Sequence, residues 1–173
     1  MIFGLSLHAY TQLHVLISLV AIASGLIVLY GMLRGKRLDG WTSLFLATTA
    51  LTSVTGFGFP FTGVTPSIKL GIISLVLLGI AYLARYTRHL AGGWRATYVI
   101  TAAIALYLNV FVLVVQSFEK VPALKAIAPT QKEAPFAIAQ IAVLVVFVGL
   151  TIRAVRRFHS TIAPITKSAS KAA

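Results

Sequence analysis

The sequence predicts an all-α membrane protein, a bundle of five transmembrane helices with the amino terminus outside and the carboxy terminus in the cytoplasm. Composition is the first reason: of the 173 residues, 58% are hydrophobic and 10% charged, and a mean hydropathy of +0.94 is too apolar for a soluble domain. Long apolar runs are the second reason, and the short basic turns between them are the third.

The predicted spans cover residues 13–33, 41–59, 66–84, 96–118 and 136–152. The fourth span has no charged residue over 23 positions. At about 1.5 Å per residue it can cross a hydrocarbon core roughly 30 Å thick. Pro60 ends the second span, and Thr65 followed by Pro66 has the residue types of an N-cap and a first helical position. Residues 1–158 are therefore expected to form a single transmembrane helical domain.

The two ends of the chain and its longest loop have distinct compositions. The first apolar run is 21 residues long and its cations follow it, whereas a signal peptide has a basic segment before a shorter apolar core. We therefore expect this span to be retained. The loop 119–135 carries three prolines, and its middle is expected to lie on the membrane surface as a short helix. Residues 159–173 favour a flexible basic cytoplasmic tail.

The distribution of charge predicts the orientation. With the amino terminus outside, 11 of the 15 lysines and arginines face the cytoplasm, and Trp41 and Trp94 both lie at the inner interface. A net charge of +12 would suggest nucleic acid in a soluble chain, but here topology and lipid head groups explain it. We expect the lipid bilayer, and no nucleic acid, as a partner. The two basic turns, YGMLRGKRLDGW and YLARYTRHLAGGW, either mark a duplicated hairpin or arose without common ancestry.

Polar residues of the fourth span share one helical face, on which Thr101, Asn109 and Gln116 follow one another at helical spacing. Lipid offers these groups no hydrogen bonds, so this face should look inward. When depth is compared across the helices, five polar side chains lie toward the outer side, and Asn109 lies deeper in the membrane. They form a candidate polar patch of His14, Thr52, Thr55, Asn109, Gln116 and Gln140. This polar patch either binds a small ligand or only cross-links the helices.

Catalytic and metal chemistry have few candidate residues. The chain has no cysteine, no Asp or Glu within the predicted spans, and neither an HExxH nor a GxSxG motif. Haem ligation needs two histidines on facing helices at one depth, but His89 and His159 fall on the inner side and His14 on the outer side. His8 does not share a helical face with His14, which leaves only a symmetric dimer that uses His14 of each chain. We predict no enzyme, no catalytic residue, no metal site and no cofactor.

Several segments resemble small bacterial integral membrane proteins of no assigned activity: LHVLISLVAIASGLIVLYGML, GKRLDGW, LTSVTGFGFPF, ALYLNVFVLVVQSF and VPALKAIAPTQ. The resemblance covers roughly residues 10–158. It implies a multi-span protein of the bacterial inner membrane, and it transfers no functional residue.

Two functions from different classes follow from these observations. The first is a non-enzymatic accessory or self-associating membrane subunit, whose partners are other membrane proteins or copies of itself. The lack of catalytic groups favours it, as do small residues such as Ala21 and Gly25 of the first span and Gly71 and Ser74 of the third. The alternative is a small-molecule, quinone or haem-binding membrane protein or permease that uses the polar patch.

Overall fold

The structure is a computed structural model that describes residues 4–60, 63 and 65–158. Within these residues the chain is helical and contains no strand. The elements are α1 Leu7–Leu33, α2 Asp39–Gly56, α3 Pro66–Tyr82, a π-helical turn Leu83–Thr87, α4 Trp94–Lys120, α5 Pro122–Ile127 and α6 Ala134–Arg157. The predicted tail 159–173, with His159, lies outside the described residues.

Four helices of the described chain are long and apolar enough to cross a membrane: α1, α4, α6 and the segment Pro66–Thr87, which joins α3 to the π-helical turn. Their number suggests a multi-pass membrane protein, as the sequence predicts. Helix α2 has 18 residues and is not among the four, because Asp39 and seven Ser and Thr residues lower its hydropathy. A fifth crossing through α2 therefore stays a prediction.

Local sequence signals explain where the helices begin. The Ser6 side chain accepts a hydrogen bond from the amide three residues on, at 3.2 Å, so α1 begins at Leu7 and runs beyond the predicted first span. Helix α3 begins where the sequence predicts, with Pro66 in its first turn and Thr65 Oγ1 accepting from the amide of Ile68 at 3.4 Å. The short helix predicted in the loop is present as α5.

Successive long helices run in opposite directions, so the bundle has two distinct ends. At the amino-terminal end, the first turns of α1 meet the last turn of α2, and the start of α6 meets the second half of α4. At the carboxy-terminal end, the start of α2 meets the π-helical turn, and the start of α4 meets the end of α6.

The apolar core lies in the half of the bundle near the carboxy-terminal end. Its largest fully buried side chains include Phe45, Tyr98, Leu106 and Phe158. Helix α4 is central, since it packs against α1, α2, α3 and α6. Apart from Phe118, however, the buried residues of α4 all lie between positions 98 and 106. Neighbouring helices therefore cover α4 less toward the amino-terminal end.

Small residues allow the helices to approach one another closely. Gly25 of α1 faces α2 and α4, and a Cβ at this position would come within 2.8 Å of the Phe45 ring. Gly71 of α3 lies against Phe57 of the chain after α2, where a Cβ would come within 2.9 Å of the ring. Gly25 and Gly71 are thus used for packing within the chain.

Candidate functional site

His14 and Thr55 form the closest contact within the predicted polar patch. His14 Nδ1 lies 2.8 Å from Thr55 Oγ1 and joins α1 to α2. The Thr55 hydroxyl has a single proton, and its oxygen lies 2.7 Å from the carbonyl of Leu51, to which it donates. With this proton donated to Leu51, Thr55 Oγ1 accepts from His14 Nδ1, which is the arrangement that satisfies both contacts.

Aromatic side chains pack around this pair. Tyr10 OH donates to the main-chain oxygen of Thr55 at 2.7 Å. The Phe59 ring packs edge-on against Tyr10 and His14, with centroid distances of 5.1 and 5.2 Å. The imidazole is half-buried. These contacts lock the start of α1 to the end of α2.

Asn109 takes part in a separate contact, between α4 and α2. Its Nδ2 donates to Thr49 Oγ1 at 3.2 Å. Thr49 is fully buried and Asn109 is half-buried, so the amide finds within the bundle the partner that lipid does not offer. The hydrogen bond is a cross-link between two helices.

Gln140 joins α6 to α4. Its Nε2 donates to the carbonyl of Phe111 at 3.3 Å. Its Oε1 is buried and has no hydrogen-bond partner among the described residues, and the same holds for Thr52 Oγ1. A buried polar atom without a partner costs about 1–3 kcal/mol, so these two atoms are the unsatisfied members of the polar patch among the described residues.

Gln116 lies apart from the rest of the polar patch, because its side chain is exposed. Val112 on the same face of α4 is also exposed. The face of α4 that the sequence predicts to look inward is therefore covered by neighbouring helices from Thr101 to Asn109. Its continuation at Val112 and Gln116 is exposed. In the described chain the hydrogen bonds of the predicted residues join helices pair by pair and do not converge on one point.

A charged cluster at the carboxy-terminal end was missed by the sequence reasoning, which treated Arg85 as one more cation of a basic turn. The Arg85 side chain is 3% exposed and forms an ion pair with Asp39. Its guanidinium lies over the Tyr98 ring, 5.2 Å from the centroid, and Tyr98 OH donates to Thr42 Oγ1 at 3.5 Å. The cluster ties the π-helical turn to α2 and α4. The one available signal was Asp39, a single acid within a basic turn.

Arg95 closes the end of α6. Its guanidinium donates to the main-chain carbonyl of Val155 at 3.0 Å and to that of Phe158. The last carbonyls of a helix have no partner within it, and Arg95 supplies a hydrogen bond to one of them, Val155, and another to the C-cap residue Phe158. The contact also holds the buried Phe158 ring beside Tyr98, with 6.1 Å between the centroids.

An apolar groove of about 430 Å³ lies between α4 and α6. It extends along α4 from Ile100 to Tyr107 and along α6 from Leu144 to Arg156. These segments belong to the carboxy-terminal half of the bundle, whereas His14 and Thr55 lie at its amino-terminal end. The groove is therefore not part of the predicted polar patch.

These features define a class: an all-helical, multi-pass membrane protein whose helices are cross-linked by imidazole, amide and hydroxyl groups. Among the residues that the structure describes, no three His, Asp or Glu side chains come together as metal ligands would. Comparison of the chain with models of known protein families, with curated proteins and with solved structures gives no match.

Proposed function

We propose that the protein is a non-enzymatic membrane subunit that packs against other membrane proteins or against copies of itself. The observation that supports this most is the use of the polar patch, because His14, Asn109 and Gln140 each bond to a neighbouring helix. A catalytic site needs groups that converge on one reacting atom. Side chains engaged in separate cross-links do not meet this requirement.

The proposal includes five crossings, with α2 in the membrane, and an orientation in a bacterial inner membrane with the amino-terminal end outside. Hydroxyls of α2 donate to carbonyls of their own helix, for example from Thr48 and Thr55 at 2.7 Å, and such bonds ease the transfer of α2 into lipid. The charges support the orientation, because Glu119 and Glu133 lie at the amino-terminal end and most cations lie at the other.

Helix α6 offers the most surface for association. Only 11% of its apolar stretch is buried, compared with 44% for α1 and 39% for α4. Gly25 of α1 and Gly71 of α3 are already packed within the chain. We therefore assign the association surface to the outward face of α6, where Ile138, Ile141 and Val145 are 60–65% exposed.

Site-directed cross-linking tests this surface, and the absence of cysteine from the chain makes single-thiol variants straightforward. Val145→Cys places a thiol on the outward face of α6, and Val76→Cys is the matched control on α3, where the native side chain is 58% exposed. With a photoactivatable cross-linker on the thiol in native membranes, we expect one discrete adduct from V145C and none from V76C. Equal yields from both variants, or no adduct from V145C, would refute the surface.

A ligand-binding function is the second candidate, because Gln140 Oε1 and Thr52 Oγ1 are buried without partners among the described residues. A quinone, a haem or a substrate of a permease would bind near these atoms. Purification in mild detergent separates the two functions. A subunit is expected to be colourless and free of quinone. A Soret band, or a quinone that co-purifies with the native protein and is lost from Gln140→Leu, would favour ligand binding instead.

A further inference from the structure

A second cavity, of about 320 Å³, lies between the ends of α1 and α6 at the carboxy-terminal end of the bundle. We call it the arginine groove. Its lining consists of Tyr30, Leu33, Arg34, Leu150, Arg153 and Arg157. Half of these side chains are cations, and two of the others are leucines. The arginine groove therefore combines a strong positive charge with an apolar surface.

The arginine groove has no acid of its own to balance this charge. The chain has three acidic residues, of which Glu119 and Glu133 lie at the amino-terminal end. The third, Asp39, forms ion pairs with Arg85 and Arg37. In the described part of the chain, no ion pair involves an arginine of the groove. Like charges around one cavity repel each other, and an anion from outside the chain would relieve this repulsion.

Local contacts hold two sides of the arginine groove in place. The Arg34 guanidinium stacks on the Tyr30 ring, 5.2 Å from its centroid. Gly35 has a φ of +66°, and a Cβ at this position would lie 3.2 Å from the carbonyl oxygen of Arg157. The turn that follows α1 is therefore packed directly on the last turn of α6. Arg34 and Arg157 are thus positioned on neighbouring walls of one cavity.

We propose that the arginine groove binds the phosphate of an anionic phospholipid. Guanidinium groups bind phosphate oxygens through paired N–H donors, and basic pockets between transmembrane helices are typical sites for lipid head groups. The leucines favour a lipid over free phosphate, because Leu33 and Leu150 give the same groove an apolar surface that the glycerol and acyl part of a lipid can contact. This proposal rests on insertion in a membrane and on neither of the two candidate functions.

Two triple variants with the same change of charge test the proposal. The groove variant replaces the three arginines of the groove by glutamine. The control variant replaces, also by glutamine, three cations at the carboxy-terminal end of the bundle that do not line the arginine groove: Lys36, Arg88 and Arg156. Each protein is purified in mild detergent and titrated with phosphatidylglycerol while its unfolding temperature is followed. Phosphatidylcholine and inorganic phosphate are titrated separately.

We expect phosphatidylglycerol to stabilise the native protein and the control variant in a saturable manner. The groove variant should bind it on the order of 100-fold more weakly, because each surface cation contributes roughly fivefold. If the groove variant binds phosphatidylglycerol as tightly as the native protein does, the proposed site is wrong. Stabilisation of the native protein by inorganic phosphate at the same concentration would overturn the assignment to a lipid. Should the groove variant fail to fold, Arg153→Gln alone should bind about fivefold more weakly, and unchanged binding would again overturn the site.

Discussion

At the scale of single residues, hydroxyl groups explain how a helix as polar as α2 packs inside the bundle. Thr48, Ser53 and Thr55 donate to carbonyls of their own helix at 2.7–3.1 Å. Such a bond uses the proton and leaves the oxygen free to accept. Thr55 uses this capacity toward His14. These three hydroxyls thus satisfy themselves within α2, and Thr55 also connects α2 to α1.

The bond between Asn109 and Thr49 should stabilise the protein only modestly. Hydrogen bonds between membrane helices contribute about 0.6 kcal/mol on average, so we expect Asn109→Leu and Thr49→Val each to cost about 1 kcal/mol or less. A double-mutant cycle, measured by unfolding in detergent, should give a coupling energy of about 0.6 kcal/mol. A coupling near zero would contradict the bond, and failure of N109L to fold would mean that Asn109 stabilises a wider network.

For the charged cluster, we expect Asp39→Asn to reduce the free energy of unfolding more than Arg85→Met. The first change leaves a buried guanidinium without its counter-ion, whereas the second removes the charge and keeps a long apolar side chain. Because the Asp39 side chain is 70% exposed, water screens the pair. The loss should therefore be about 2 kcal/mol, below the 3–5 kcal/mol typical of fully buried pairs. Unfolding in detergent gives both values, and a larger loss for R85M would contradict this account.

At the scale of helices, close approach of α1 to α2 and α4 depends on Gly25. We expect Gly25→Ala to lower the free energy of unfolding by about 1–3 kcal/mol, because the added Cβ would come within 2.8 Å of Phe45. Gly79→Ala on α3 is the matched control, since a Cβ there meets nothing within 4 Å. It should be neutral or stabilising by about 0.5–1 kcal/mol. Equal effects of the two variants, measured by unfolding, would contradict the packing at Gly25.

The turn before α6 should depend on pH. Glu133 accepts hydrogen bonds from the Thr130 hydroxyl at 2.8 Å and from the amides of Thr130 and Lys132 at 3.2 and 3.0 Å. The Thr130 hydroxyl is the main reason that the pKa of Glu133 lies below its ordinary value of 4.5. Because this pKa is lowered on folding, the turn is stabilised above the ordinary pKa and loses this contribution as the pH falls through the lowered value.

Hydrogen exchange measures this effect directly. The amides of Thr130 and Lys132 should be protected at pH 7 and lose protection as the pH falls through the lowered pKa of Glu133, after correction for the intrinsic exchange rate. Thr130→Val should reduce protection at pH 7 and bring the transition closer to the ordinary pKa of a glutamate. Protection that stays unchanged throughout an acid titration of the folded protein would show that the carboxylate does not order the turn.

The limits of the helices could be predicted from sequence only where a local signal is strong. Thr65 and Pro66 mark the start of α3, because a capping side chain and a fixed φ act within one turn. Ser6 caps α1 by the same rule. The predicted first span nevertheless begins several residues later, at residue 13, because it was defined by the long apolar run. Hydropathy measures suitability for lipid, whereas a helix continues as far as its hydrogen bonds allow.

At the scale of the whole molecule, the proposed orientation can be tested with two single-cysteine variants. His8 and Ala91 are both exposed and lie at opposite ends of the bundle, and replacing either by cysteine leaves the number of lysines and arginines unchanged. We expect a membrane-impermeant maleimide to label H8C in intact cells and A91C only after permeabilisation. The reverse labelling pattern would show that the protein has the opposite orientation, with the arginine groove outside the cell.

The sequence predicted the class of the fold better than the contacts of its site. Spans can be predicted because hydropathy adds up over about 20 residues and tolerates a few polar exceptions. Which polar side chains bond to one another depends on how the helices pack. For this reason Gln116 lies exposed, whereas Gln140 bonds to α4. Arg85 shows the same limit most clearly. Its counter-ion is 46 residues away along the chain, so nothing local to Arg85 predicts that its side chain is buried.

The pairing of Arg85 with Asp39 has an electrical consequence. A unit charge that moves through a potential of 100 mV gains or loses about 2.3 kcal/mol. Here a positive and a negative group are held side by side, so a field across the bilayer pulls them in opposite directions and the two amounts of work largely cancel. A voltage sensor moves when the membrane potential changes because its charges are not cancelled in this way. The guanidinium of Arg85, paired with Asp39, can therefore lie inside the bundle without such a response.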